Sequence, residues 1–389
     1  MKSKRLPILG ACGALCATAL ALAVPLAVAQ AAHVQLPASR WRVVAKTPAA
    51  PLGVVVAPTA TSVWALGWGA DPTTNIIFPI GRRWNGHRWS SVHFPSGVQS
   101  SGMSCAAASS PADVWAFTGA GSVSGQAPNN VSALRLRAGR WVIVKNFPGS
   151  FVTGCNVLGP ANVWVFGGEV AGIGPPIGTW HFSGSRWRLF NTGSLVIFNA
   201  SVVSAKDIWA TAAAGDGSCP CAPVVARWNG RSWREMKSIG AVLPKPTNTT
   251  GVGLDNIKAF SDRDVWVLAS VFRNSALSFV VAHWNGRAWS RVRPGRPGYY
   301  LPTAVPDGHG GWWSVPYLPG MSVPYLLHRV GGKWLRFPIP VRLAFFFGAP
   351  SSFFGMTHVP RSGAMLVAGT QIQRRTITGV ILAFGQLPA

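Results

Sequence analysis

"VVAHWNGRAWSRVRP", residues 280–294, sets Trp284 and Trp289 on either side of an Asn-Gly pair. The phrase recurs as "GRRWNGHRWSSVHFP" (81–95) and "VARWNGRSWREMK" (225–237), and more loosely as "ALRLRAGRWVIVKNFP" (133–148), "WHFSGSRWRLF" (180–190) and "LLHRVGGKWLRFPIP" (326–340). Asn-Gly between apolar runs is a strong hairpin signal, because both residues tolerate the positive φ of a two-residue turn. Each copy therefore predicts one tight hairpin.

A second phrase precedes each copy: "SVWALGWG" (62–69), "DVWAFTGAG" (113–121), "NVWVFGGE" (162–169), "DIWATAAAG" (207–215), "DVWVLASV" (264–271) and a degenerate "GWWSVPY" (311–317). Its anchors, Trp64, Trp115, Trp164, Trp209, Trp266 and Trp313, are spaced by 51, 49, 45, 57 and 47 residues. A period of about 50 is that of propeller blades. Each unit parses into four strands: a small-residue strand such as "MSCAAAS", a tight turn to "VWVLAS", a variable loop to "FVVAHW", and the Asn-Gly turn to "AWSRVRP". The tryptophans are expected to fill the widening wedge between blades. Counting onward from Trp313 reaches "SGAMLVAGTQ", a second strand with methionine or valine in place of tryptophan, followed by "TGVILAFG" and no closing strand. "SRWRVVAKTP" (39–48) supplies that strand from the other end of the chain, leaving no open sheet edge. The fold predicted is all-β: a seven-bladed β-propeller of four-stranded antiparallel blades, closed by an N-terminal strand.

"NVWVFGGE" resembles the kelch second strand with its double glycine, so the chain is similar to kelch-like propellers and that of galactose oxidase. It resembles still more closely secreted bacterial repeat proteins with "DVWAVG" and "HWNG..W" phrases. The galactose-oxidase resemblance implies copper held by two tyrosines and two histidines, with one tyrosine crosslinked to cysteine. Only Tyr299, Tyr300, Tyr317 and Tyr325 stand in this sequence, and His181, His309, His328 and His358 show no metal-ligand spacing. No metal and no cofactor is expected.

The chain opens "MKSKR" and continues through a long apolar run to "AVAQAA", which reads as a signal peptide over 1–31 ahead of one propeller domain over 32–389. An uncleaved segment would be the chain's one route into a membrane. The formal charge is +25, from 35 Lys and Arg against 10 Asp and Glu; losing Lys2, Lys4 and Arg5 with the signal leaves +22. A secreted, monomeric protein so basic is expected to meet an anionic envelope polymer, a glycan or a protein rather than nucleic acid. Four cysteines follow the signal, an even number that favours disulfides outside the cytoplasm. Cys105 lies six residues before Pro111 and Cys155 five before Pro160, so both fall on first strands of adjacent units, offset by one residue. That offset turns them to opposite faces and predicts a Cys105–Cys155 bridge.

Chemistry is sparse. Asp113, Asp207 and Asp264 hold the repeated turn position and read as structural, and the other acids show no paired spacing. The shortage of acids points to a secreted, non-catalytic binding or scaffolding propeller of the cell envelope. The alternative is a carbohydrate-processing propeller enzyme, a glycosidase or galactose-oxidase-like, whose carboxylates would have to meet across loops. No catalytic residue is assigned. The binding candidates are a basic rim of Arg88, Arg140, Arg186, Arg231, Arg287 and Lys333, and the loop-face residues Trp68, Asp71, Tyr299 and Tyr300.

Overall fold

A computed structural model of the chain describes residues 40–387, except 75, 99–100, 121–129, 150–151, 168–176, 215–221, 248, 275, 293–303, 317–322, 332, 345–353 and 375. The signal peptide, Tyr299, Tyr300, Cys219 and Cys221 lie outside the described residues. Seven four-stranded antiparallel sheets form the ring of a β-propeller. Blades 1 to 6 span 52–91, 101–148, 154–190, 195–236, 250–292 and 305–343; blade 7 joins 355–384 to the strand Arg42–Pro48. Blade 5 shows the plan, its strands Thr250–Ser261, Asp264–Arg273, Ala276–Trp284 and Trp289–Val292 pairing in order from the inside outward.

Blade 7 closes the ring as expected. Arg42–Pro48 pairs antiparallel with Thr376–Phe384, opening with Arg42 opposite Ala383. Trp41, buried, meets Trp313 of blade 6 edge-on at 5.3 Å, and Arg82 of blade 1 donates to the Thr47 hydroxyl at 3.1 Å. The strand from the start of the domain is thus held by its own sheet and by both neighbours. In the same blade the register puts Leu366, opposite Ala383, where the other blades carry their tryptophan, rather than Met365 or Val367.

The second-strand tryptophans fill the wedge between blades. Trp64 meets Trp141 of blade 2, Trp115 meets Trp187 of blade 3, and Trp209 meets Trp289 of blade 5, with centroids 5.3, 5.7 and 6.4 Å apart. A cation or imidazole from the third strand covers the other face of each ring. Arg83, Arg135 and Arg227 stand 4.7–4.9 Å over Trp64, Trp115 and Trp209, while His181, His283 and His328 stack at 4.2–4.3 Å on Trp164, Trp266 and Trp313. The repeated acid completes the lock. Asp113 binds Arg135 at 2.9 Å, Asp207 binds Arg227 at 2.7 Å, and Asp264 binds His283 at 2.8 Å. Asp113 and Asp264 also accept the indole N–H of the tryptophan two residues on. These acids are structural, as expected.

Cys105 and Cys155 form the predicted disulfide, their Cα atoms 5.9 Å apart, tying the inner strands of blades 2 and 3. The one-residue offset gives the facing orientation.

Candidate functional site

Two faces bound the ring. One carries the turns joining first to second and third to fourth strands; the other carries the loops after second and fourth strands.

The six rim residues all stand exposed, Arg88, Arg186, Arg231 and Arg287 in the turns between third and fourth strands and Arg140 and Lys333 as the first residues of fourth strands. In blades 1, 4 and 5 the turn asparagine fixes the position. Asn85 accepts the amides of His87 and Arg88, Asn229 those of Arg231 and Ser232, and Asn285 those of Arg287 and Ala288, at 2.9–3.0 Å. Gly86, Gly230 and Gly286 take φ of +99°, +92° and +90°, a conformation glycine adopts freely. The basic side chain is left as the turn's free end.

Asp307, read in the sequence as one of the scattered acids, proves structural as well. It accepts from the amides of His309 and Gly311 and pairs with His328 at 2.7 Å, rebuilding the blade 6 lock from the far side of its turn. Burial pushes its carboxyl up, but the His309 amide, His328 and the Gly311 amide outweigh it and hold the pKa below the usual value.

The inner strands carry a second repeated feature. In blades 1, 2, 4 and 5 the pairing skips one residue: Gly53, Ser104, Phe198 and Asp255. Each lies eleven positions before its blade's anchoring tryptophan, a register that Thr153 shares in blade 3. A bulge of this kind re-aims its side chain and is common beside active sites. Asp255 is the acid of this set. It is open to solvent on the innermost strand, with the Ser270 hydroxyl donating to its Oδ1 at 3.0 Å. Protein surrounding it on most sides raises its pKa to about 6, against the hydrogen bonds from the Ser270 side chain and backbone. Three residues along, burial lowers the pKa of Lys258, whose Nζ lies 5.9 Å from the Phe260 ring. In the sequence Asp255 stands as one more acid without paired spacing. Aligning the units on their tryptophans would have shown an acid where the others hold Gly, Ser, Thr and Phe.

On the loop face, Trp68 packs over Gly102 of blade 2, where an added Cβ would lie 3.0 Å from it. The neighbouring Phe78 ring lies over Gly69 and remains 40% exposed. Asp71 accepts the amides of Thr74 and Thr73 at 2.9 and 2.8 Å. Those bonds, that of Thr74 first, lower its pKa to about 2. Blade 1 thus brings Trp68 and Asp71 to the same end of one sheet. Among the described residues no group of three His, Cys, Asp or Glu side chains could hold a metal ion.

No family model matches the sequence, and no curated protein does. Three solved structures are similar to it over most of its length. A GH74 xyloglucanase from Xanthomonas campestris is 13% identical with a TM-score of 0.36, over 86% of this chain and 60% of its own. The alpha-L-arabinanase of Penicillium chrysogenum, complexed with arabinobiose, is 10% identical with a TM-score of 0.47, over 89% and 98%. The Trypanosoma rangeli sialidase, in complex with the inhibitor DANA, is 7% identical with a TM-score of 0.41, over 86% and 55%. This chain therefore spans less than two thirds of the xyloglucanase and of the sialidase. At such identities and TM-scores the likeness carries no argument about this chain's activity. Their names are those of carbohydrate-processing enzymes, the class held above as the alternative, and not of the non-catalytic envelope-binding propeller that was expected. The seven blades are read from this chain's own sheets.

Proposed function

We propose that this propeller hydrolyses glycosidic bonds, with Asp255 as the proton donor, turned out of the inner strand of blade 5 by its bulge and positioned by Ser270. The position of Asp255 carries the reading. A donor must be protonated at working pH and reachable by substrate, and Asp255 is exposed on the innermost strand of its blade with protein around it that favours the protonated form. Its pKa of about 6 keeps a substantial protonated fraction in mildly acidic solution. Proton transfer from its carboxyl to the glycosidic oxygen lets the departing sugar leave as a neutral alcohol. Glycoside hydrolysis needs a second, ionised carboxylate. Asp71 is bound by the amides of its own loop in blade 1, and the second carboxylate is not assigned. Trp68 and Phe78 offer apolar ring surface of the kind on which sugar faces stack.

An extracytoplasmic location goes with this reading, supported by the basic-then-apolar start of the sequence and by the Cys105–Cys155 bridge. The kelch-like phrases support kinship with secreted bacterial repeat proteins. The xyloglucanase, arabinanase and sialidase names lend no residue to the proposal.

The test is reducing-end release by the purified chain from a panel of neutral and acidic polysaccharides. Asp255→Asn should lower turnover by about 100-fold or more. Wild-type activity should fall as pH rises through about 6, because the donor ionises. A panel left wholly uncut, or an Asp255→Asn variant as active as wild type, defeats the proposal.

A further inference from the structure

We propose that the face carrying the short turns is a docking surface for an anionic polysaccharide, held by the basic side chains repeated from blade to blade. The choice of polymer rests on the carbohydrate reading above; the docking itself does not.

The six rim side chains are surplus to the fold. Repeat-borne arginines could exist only to cover tryptophan rings, but that work falls to third-strand residues such as Arg83, Arg135 and Arg227. Among the described residues none of the six lies over an aromatic ring, and none pairs with an acid within 4.0 Å. The adjoining turns between first and second strands add Lys206, Arg263 and Arg361, all exposed. In blades 4 and 5 the two sets are brought together. The Lys206 stem lies over Gly230, where an added Cβ would come within 2.9 Å, and the Arg263 stem lies over Gly286 at 2.7 Å. Lys206 therefore sits on the turn that carries Arg231, and Arg263 on the turn that carries Arg287. Gathering like charges raises the energy of the free protein and is relieved when an anion binds between them.

The acids of this face offer little relief. Asp113, Asp207, Asp264 and Asp307 are each engaged by a basic or imidazole partner of their own blade. Asp262 is the acid left exposed there among the described residues. Beside Arg137, a cavity of about 560 Å³ opens between the two turns of blade 2, lined by Pro111, Ala112 and the stretch 135–139. The occupant is a polyanion without bases to stack. Surfaces that hold single-stranded nucleic acid interleave cations with exposed aromatic platforms, whereas the tryptophans flanking these turns pack on each other, as Trp84 does on Trp89 and Trp228 on Trp233. A chain of carboxylated sugars meets the charge and asks for no stacking.

The full chain would be titrated with fluorescently labelled polygalacturonate, with neutral dextran and single-stranded DNA as comparison probes. Wild type should bind polygalacturonate at about 20 mM salt and lose at least about tenfold in affinity by about 200 mM, as screening shortens. Arg231→Gln/Arg287→Gln/Lys333→Gln should weaken binding at least about tenfold. The control Lys245→Gln/Arg273→Gln/Arg374→Gln, exposed on the loop face, should change it less than about twofold. Equal losses in the two triple variants, or none in the rim variant, overturn the docking face. DNA bound as tightly as polygalacturonate overturns the polysaccharide as occupant. Asp255→Asn reports separately: polygalacturonate binding should persist in that variant whether or not hydrolysis is lost.

Discussion

Around the periphery, Arg231 and Arg287 stand at one matching position directly after Asn-Gly, and Arg88 one position later in the same kind of turn, each with its amide donating to the turn asparagine. On the inner strands the equivalent bulge is Gly53, Ser104, Phe198 and Asp255 in successive cases. The backbone device is the same; the side chains share neither size nor charge. The Asn-Gly pairs and the buried residues that recur with the blade answer demands every blade makes: a turn to close, a wedge to fill, an acid to lock. A residue that departs from the repeat at a position of common geometry answers to something else. That contrast singles out Asp255, and mutations on the two sides of it should behave differently.

The largest effect belongs to the repeated side. Trp209 is fully buried and faces Trp284 and Trp289 of the next blade, so Trp209→Ala should lower unfolding free energy by about 3–5 kcal/mol in urea denaturation. Phe198, half-buried at the bulge of the same blade, should lose clearly less on change to alanine. Equal losses would mean that the inner position is as structural as the anchor, and the contrast would fail.

The repeated acids should grade by burial. Asp113 is 2% exposed and serves Ser109, Trp115 and Arg135 at once, whereas the Asp264 side chain is 48% exposed beside His283. Removing one member of a buried pair strands its partner, so Asp113→Ala should cost about 3 kcal/mol. Asp264→Ala, where water can replace the carboxylate, should cost about 1 kcal/mol or less. The same unfolding titration reads both, and a reversed order would break the explanation by burial.

How much of this was readable from sequence follows the same division. Period, turn chemistry and the stray "SRWRVVAKTP" sufficed for seven blades and the closing strand, because each is a local signal repeated or conspicuously missing. The disulfide was legible because strand alternation converts a one-residue offset into opposed faces. The Asp307–His328 pair was not legible: Gly311 stands at the strand start, and the acid comes from four residues earlier in the turn. Asp255 was hidden for another reason. Its raised pKa comes from protein gathered around it by the ring, and its hydrogen-bond partner Ser270 stands fifteen residues away on another strand. Neither Trp68 nor Asp71 was wrongly placed on the loop face, but their sequence context did not show that Asp71 caps its own loop.

The smallest expected change is also the one that separates the two kinds of residue most sharply. Asp255 has a pKa of about 6 in the fold against 3.8 for an unperturbed carboxyl. Below pH 3.8 both folded and unfolded chains carry it protonated, and it costs the fold nothing. As pH rises from 3.8 to about 6 the unfolded chain ionises first, so stability is lost across that window; above it the penalty is constant. Water reaches the carboxyl, which reduces the penalty to about 1 kcal/mol. Asp255→Asn removes it and keeps the shape. The variant should therefore melt about 2 °C above wild type at pH 7 and together with it below pH 4. Trp209, Asp113 and Asp264 should each lose stability when changed; this one should gain it while activity falls. Such an exchange is expected where a destabilising group is kept for its chemistry. Melting curves at the two pH values decide it. A variant less stable than wild type at pH 7 would return Asp255 to the structural residues.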